Sequence, residues 1–217
     1  NNAYHLKATK VTGCEYFFPK TSVAGTESLM MTAVLAQGTT TLKNCAMEPE
    51  IKALAEYLNS RGAKINGAGT STIVIDGVKE ISADCFDIIP DRIETGTFAI
   101  MAAATNSNIT IRNCIPEHVE SLLSIFDKIG VHYSRGNDWI KITSTKKIKP
   151  YSIITHEYPG FPTDLQSPYT VLMTQAEGSS LIHETIYDRR LLFTDMLTQM
   201  GANIIMCDPH RVVISGP

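Results

Sequence analysis

The chain has 217 residues, 43% of them hydrophobic and 19% charged, and its 19 Lys and Arg against 22 Asp and Glu leave a net charge of −3. These values exclude a disordered, collagenous or coiled-coil chain, and with no basic cluster beyond Lys146, Lys147 and Lys149 they argue against a nucleic-acid partner. The longest apolar run, Phe98 to Ala104, has seven residues, far below the roughly 18 that a membrane span needs, so no membrane partner is expected.

In chain order, the pattern predicts a strand over Glu15–Phe18, a small-residue helix over Glu27–Ala36, a turn at Gly38 and a strand over Thr39–Leu42. Ile51, Leu54, Ala55 and Leu58 then recur at the spacing of one helix face. Gly62 follows as a left-handed C-cap, and Lys64–Asn66 with Thr72–Ile75 read as a closing hairpin. The order returns with a strand over Phe86–Ile89, a helix over Glu94–Ala104, a turn at Asn108 and a strand over Ile109–Ile111. Its stripe is Val119, Leu122, Leu123 and Phe126, its closing glycine Gly130, and its hairpin His132–Tyr133 with Trp139–Ile142. A third pass gives Ser152–Thr155, a helix over Asp164–Ala176, Gly178 and Ser179–Ile182. The stripe Phe193, Met196, Leu197 and Met200 precedes Gly201 and the hairpin Asn203–Met206 with Val212–Ile214.

The closing glycines lie 68 and 71 residues apart, a period of about 70. The chain therefore reads as an α/β (α+β) protein of three βαβαββ units, over residues 1–88, 89–146 and 147–217. A unit this small cannot bury both helices alone. The helices are expected to pack inward together with the sheets outside, and Ala- and Met-rich stretches such as Phe98 to Ala104 to be the most deeply buried.

Five cysteines without a CxxC spacing read as free thiols of a reducing, cytoplasmic setting, and six histidines never stand at i, i+4 or beside a cysteine, so no metal is expected. The start at Asn1 without methionine and the end at Pro217, just after a strand, point to an excised or processed piece.

Residues that break an internal repeat are better functional candidates than those that obey it. Eleven positions before the closing glycine stand Ile51, then Val119, but then Arg190. A guanidinium at a helix start is opposed by the helix dipole, so an anion nearby would have to justify it, Asp188 being the plainest one. The starts of the three first helices are dense in cap residues. N-capping accounts for one Ser, Thr or Asp in each, but not for Asp91, Arg92 and Glu94 together. Lys20 with Ser22, Val23 and Ala24 forms a plausible anion site at free helix amides. Asp164 has the chemistry of a general base if a hydroxyl lies within about 3 Å. Glu48-Pro49-Glu50 reads either as an acidic first turn or as part of a site.

The blocks Pro90 to Phe98 (PDRIETGTF), Phe161 to Gln166 (FPTDLQ) and Glu184 to Arg190 (ETIYDRR), with Glu48-Pro49-Glu50-Ile51 upstream, closely resemble the UDP-N-acetylglucosamine 1-carboxyvinyltransferase family of enolpyruvyl transferases. The sister 5-enolpyruvylshikimate-3-phosphate synthases share the repeat but not these blocks. The resemblance implies an inside-out α/β barrel of two three-unit lobes, of which this chain matches the last unit of one and the first two of the other. It also implies transfer of the enolpyruvyl group of phosphoenolpyruvate to the 3'-hydroxyl of UDP-N-acetylglucosamine, the first committed step of peptidoglycan synthesis, through a tetrahedral ketal and without a cofactor.

By the same resemblance Asp164 is the base toward the sugar hydroxyl, with Thr163 beside it, and Arg190 faces the anionic groups of phosphoenolpyruvate. Lys20, Ser22 and Val23 contact the uridine diphosphate, with Ala24 where the family usually has glycine. Glu48, Asp91, Arg92, Glu94 and Ile186 line the site. Arg189 stands where the family usually has asparagine, and Thr9 to Phe18 is longer than usual. The family's N-terminal Lys-Asn pair, its loop with a reactive cysteine and its C-terminal arginines have no counterpart here, so the chain alone is expected to be inactive or nearly so. The apolar helices left open imply self-association or a complementing half. Two alternatives stay open: a non-catalytic sugar-nucleotide-binding module, and a related transferase with another acceptor.

Overall fold

Strand β1 (Glu15–Phe17) runs parallel to β2 (Thr39–Lys43), and helix α1 (Val23–Ala33) connects them, in the computed structural model, which describes residues 7–217. Helix α1 starts at Val23 rather than Glu27, because Ser22 is its N-cap: the Ser22 hydroxyl accepts from the Gly25 amide at 3.1 Å. Helix α2 (Pro49–Ser60) opens on a proline, whose missing N–H costs nothing in a first turn, and leads into β3 (Lys64–Asn66) and β4 (Thr72–Asp76). The sheet order is β1-β2-β4-β3, and Met30, Val34, Leu42, Ile51, Ile73 and Ile75 fill the core beneath it. These elements belong to the compact unit that ends at Ile89.

The second compact unit, Pro90–Pro217, holds two further repeats. The earlier has α3 (Arg92–Ala104), β5 (Ile109–Arg112), a 3-10 turn at Pro116–Val119 running into α4 (Glu120–Ile129), then β6 (His132–Arg135) and β7 (Trp139–Thr143). The later has β8 (Ile153–Ile154), a 3-10 turn at Thr163–Leu165 running into α5 (Gln166–Met173) and β9 (Ser179–His183). A 3-10 turn at Arg190–Phe193 then enters α6 (Thr194–Gln199), followed by β10 (Asn203–Asp208) and β11 (Arg211–Ser215). Its sheet order, β8-β9-β11-β10, repeats that of the first sheet, with β8 and β9 parallel. The intervening sheet has three strands, β5-β7-β6. One core runs through both repeats, built on Leu122, Leu123, Phe126, Ile140, Tyr169 and Leu172. The fold is the expected mixed α/β class, and Gly62, Gly130 and Gly201 all have positive φ, as expected of the residue that closes each helix.

Three expectations are corrected. Phe86–Ile89 is not a strand and pairs with no sheet. The segment is held instead on the first unit, where the Ser82 amide donates to the Arg61 carbonyl at 3.0 Å, Arg61 pairs with Asp84 at 2.7 Å, and the Phe86 and Tyr57 rings lie 4.8 Å apart. In the Phe98 to Ala104 stretch, Ala99, Ile100, Ala102 and Ala103 are buried but Phe98 and Met101 are exposed, so α3 has one open side. The third apolar stripe is not a core stripe either: Met196 and Met200 are 64% and 83% exposed. Helix α6 is only six residues long, and Leu191 and Thr194 supply what it and its leading turn bury.

All five cysteines are free, as expected, and burial pushes the thiols of Cys45 and Cys114 up from their ordinary range. No helix among the described residues is long and apolar enough to cross a membrane.

Candidate active site

In the first unit the candidate residues collect at the N-termini of α1 and α2. Lys20 and Ala24 are exposed, and Val23 is half-buried as the first residue of α1. Thr26 ties the two helix starts together, its hydroxyl accepting from the Ala46 amide at 3.1 Å and donating to the Ser22 carbonyl at 2.8 Å. Asn44, in the left-handed region at φ 57°, donates to the Phe18 carbonyl at 2.9 Å and so fixes the loop that ends in Glu48. Glu48 is only 6% exposed and its Oε2 is buried without a hydrogen bond. Burial, with the charges of Glu50 and Glu48, pushes the neighbouring Glu27 carboxyl above its ordinary range.

In the second unit Asp91 is the N-cap of α3. Its Oδ1 accepts from the amides of Ile93 at 2.7 Å and Glu94 at 3.1 Å, and the exposed Glu94 completes an acidic first turn. The Arg92 guanidinium lies 5.7 Å from the centre of the Tyr158 ring, in the loop that leads to Thr163. Gly96 lets this loop come close: a β-carbon there would meet the Leu165 side chain at 2.5 Å. The absence of a side chain on α3 thus lets Leu165 seat itself and sets the turn that carries Asp164.

That turn meets Arg190. Arg190 Nη2 donates to Asp164 Oδ1 at 2.6 Å, joining the two residues that sequence reasoning singled out as catalytic, 26 positions apart. The Asp164 side chain keeps 52% of its surface open and Arg190 29%, so both remain reachable from solvent. The Tyr187 ring centre lies 5.1 Å from the Arg190 guanidinium. A carboxylate beside a fixed cation can orient a hydroxyl and accept its proton, while the cation holds an anionic group next to it.

One residue of this site escaped sequence reasoning. Glu184, fully buried just after β9, accepts from the Thr163 hydroxyl at 2.8 Å, the Thr155 hydroxyl at 3.1 Å, and the amides of Ile186 at 2.8 Å and Tyr187 at 3.1 Å. The candidates Thr163 and Ile186 are therefore both held by it. The signal was present in the repeat: the corresponding positions after β2 and β5 are Asn44 and Asn113, both at positive φ, and only the third repeat has glutamate there. Among the described residues no group of three His, Cys, Asp or Glu is placed to hold a metal ion.

A family model described as EPSP synthase (3-phosphoshikimate 1-carboxyvinyltransferase) matches residues 2–215. The chain is 44% identical over 215 residues to UDP-N-acetylglucosamine 1-carboxyvinyltransferase 2 of Geobacillus kaustophilus, covering 99% of this chain and 50% of that protein. It is 46% identical over 210 residues to UDP-N-acetylglucosamine 1-carboxyvinyltransferase 1 of Carboxydothermus hydrogenoformans, covering 97% of this chain and again 50% of the relative. The chain thus spans about half the length of the curated relatives it matches. Among solved structures, the enolpyruvyl transferase NikO from Streptomyces tendae shares the fold with a TM-score of 0.86 at 23% identity, over 97% of this chain and 52% of that one. The chain belongs to the EPSP synthase family, and within it its sequence is similar to the UDP-N-acetylglucosamine 1-carboxyvinyltransferases.

Proposed function

We propose that this chain is part of a longer enolpyruvyl transferase, built on the inside-out α/β barrel, that moves the enolpyruvyl group of phosphoenolpyruvate to the 3'-hydroxyl of UDP-N-acetylglucosamine. The observation that carries the reading is the Asp164–Arg190 pair, in which two residues from separate blocks place a carboxylate and a guanidinium 2.6 Å apart. The names of the relatives, which share over 40% identity, support the acceptor. Asp164 takes the proton of the sugar hydroxyl as its oxygen bonds to the central carbon of phosphoenolpyruvate. The methylene carbon takes a proton from solvent, giving the tetrahedral ketal. Loss of phosphate together with one methyl proton then restores the double bond in the product. Arg190 holds the negative charge of the donor and of the ketal.

Around this pair, Thr163 and Ile186 contact the sugar end of the acceptor, and Asp91, Arg92 and Glu94 line the same region. In the first unit, taken by itself, Lys20 with Ser22, Val23 and Ala24 at the start of α1 forms a candidate site for a phosphate anion, which helix amides and the helix dipole favour. Glu48 offers a desolvated carboxylate oxygen to a substrate donor. No metal or organic cofactor enters this scheme.

Calorimetric titration of the chain with UDP-N-acetylglucosamine tests the reading. Saturable binding that weakens at least tenfold in Asp164→Ala is expected. Binding that is indifferent to Asp164→Ala and Arg190→Ala alike overturns the assignment of these residues.

A further inference from the structure

A fully buried carboxylate is costly unless hydrogen-bonded donors replace the water it has lost. Glu184 meets that condition with hydrogen bonds alone: two hydroxyls and two backbone amides all donate to it, so both of its oxygens act as acceptors. Its own backbone is fastened as well. The Glu184 amide donates to the His210 carbonyl at 2.8 Å, and His210 Nδ1 lies 3.0 Å from the Glu184 carbonyl oxygen.

What these bonds hold is more telling than their number. Thr163 is the residue before Asp164. Ile186 and Tyr187 begin the loop that ends in Arg190, and the Tyr187 ring lies against the Arg190 guanidinium. One buried side chain thus grips both arms of the Asp164–Arg190 ion pair while touching neither member.

The internal repeat shows that packing does not require a glutamate here. In the β1–β2 and β8–β9 pairings Lys43 and His183 occupy equivalent positions, and so do Asn44 and Glu184, and Phe18 and Thr155. In the first repeat Asn44 donates to the Phe18 carbonyl, and the apolar Phe18 side chain is buried. In the third, both members have changed together, to an acceptor and a hydroxyl donor. Among the described residues, no aspartate-arginine ion pair stands at the start of α1 in the first repeat.

We infer that Glu184 is a positioning residue, which sets the geometry of Asp164 and Arg190 by holding Thr163 and the Ile186–Tyr187 backbone in register. The inference rests on the proposed roles of Asp164 and Arg190 only for its functional consequence.

The experiment compares the wild-type chain, Glu184→Ala, Glu184→Gln and Thr163→Val, with 15N-labelled protein and NMR of the Arg190 side-chain N–H groups. Glu184→Ala and Thr163→Val are expected to speed exchange of these protons with water at least tenfold, while amide signals of α4 and β7 keep their positions. Glu184→Gln should recover most of the protection, because the amide oxygen still accepts from the two backbone amides and the Thr163 hydroxyl can turn to accept. Thr163→Val is the decisive variant, since it removes a single half-buried hydroxyl and leaves the core intact. Wild-type protection of Arg190 in folded Thr163→Val overturns the inference. Titration of the same proteins with UDP-N-acetylglucosamine separates the two readings: altered Arg190 exchange without nucleotide binding by wild type sustains the positioning role and shows that these residues by themselves do not form a working acceptor site. Binding by wild type that falls in parallel with Arg190 protection sustains both.

Discussion

The second and third repeats each open their first helical segment with an aspartate, and they use it in opposite ways. Asp91 turns its carboxylate back on its own helix and satisfies the amides of Ile93 and Glu94. Asp164 sits inside a 3-10 turn whose cap makes no side-chain hydrogen bond, and its carboxylate reaches across to Arg190. The second helices differ in the same sense. Helix α4 buries Leu122, Leu123, Ile125, Phe126 and Ile129, whereas α6 buries only Thr194 and leaves Met196 exposed. The repeat that obeys the packing rules turns this aspartate back on its own backbone, and the repeat that departs from them turns its aspartate toward Arg190.

The largest effect should come from breaking the obedient repeat. Phe126→Ala, at a fully buried site in α4, is expected to cost about 3–5 kcal/mol in denaturant unfolding, while Met200→Ala after α6 stays within about 0.5 kcal/mol. Equal losses at the two positions would erase the distinction. Next, Asp164→Ala should weaken UDP-N-acetylglucosamine binding at least tenfold, about 1.4 kcal/mol by calorimetry. Its unfolding free energy should fall by less than about 1 kcal/mol, because half-exposed ion pairs contribute little.

Asp91→Ala is expected to do the reverse, losing about 1 kcal/mol of stability as an N-cap does, with Asp91→Ser recovering most of it. A stability loss in Asp164→Ala that matches the loss in Asp91→Ala would show that both are caps. The smallest effect is a gain. Arg189 has φ 58°, in the left-handed region where the other non-glycine residues described there are Asn44, Asn106 and Asn113. Arg189→Asn should raise the unfolding free energy by about 0.5–1 kcal/mol, since asparagine tolerates this conformation at lower cost. No gain would mean that the Arg189 backbone is not strained.

Much of the architecture was legible in the chain, because it rests on local rules. Stripes at helical spacing, strands of alternating burial and glycines free to take positive φ announced three repeats, and apart from the missing strand at Phe86–Ile89 the elements follow that order with shifts of a few residues at their ends. The resemblance of three short blocks then supplied a family, which the match to the EPSP synthase family over residues 2–215 and the 44–46% identity to UDP-N-acetylglucosamine 1-carboxyvinyltransferases together bear out.

What the chain alone could not decide are events between distant segments. Phe86–Ile89 has strand-like composition, but a strand exists only if an edge accepts it, and Ser82, Asp84 and Phe86 are bound to the C-terminal end of α2 instead. The stripe of α6 has the right period, yet burial depends on a neighbour to cover it. Asp164 and Arg190 meet because β8 and β9 pair in one register and because Glu184 draws both loops together, and neither condition is written in the residues next to them. Local sequence determines which hydrogen bonds a segment makes with itself. Tertiary structure decides which of its remaining donors, acceptors and charges find each other, since that depends on the long-range pairing of strands and on what lies buried between them.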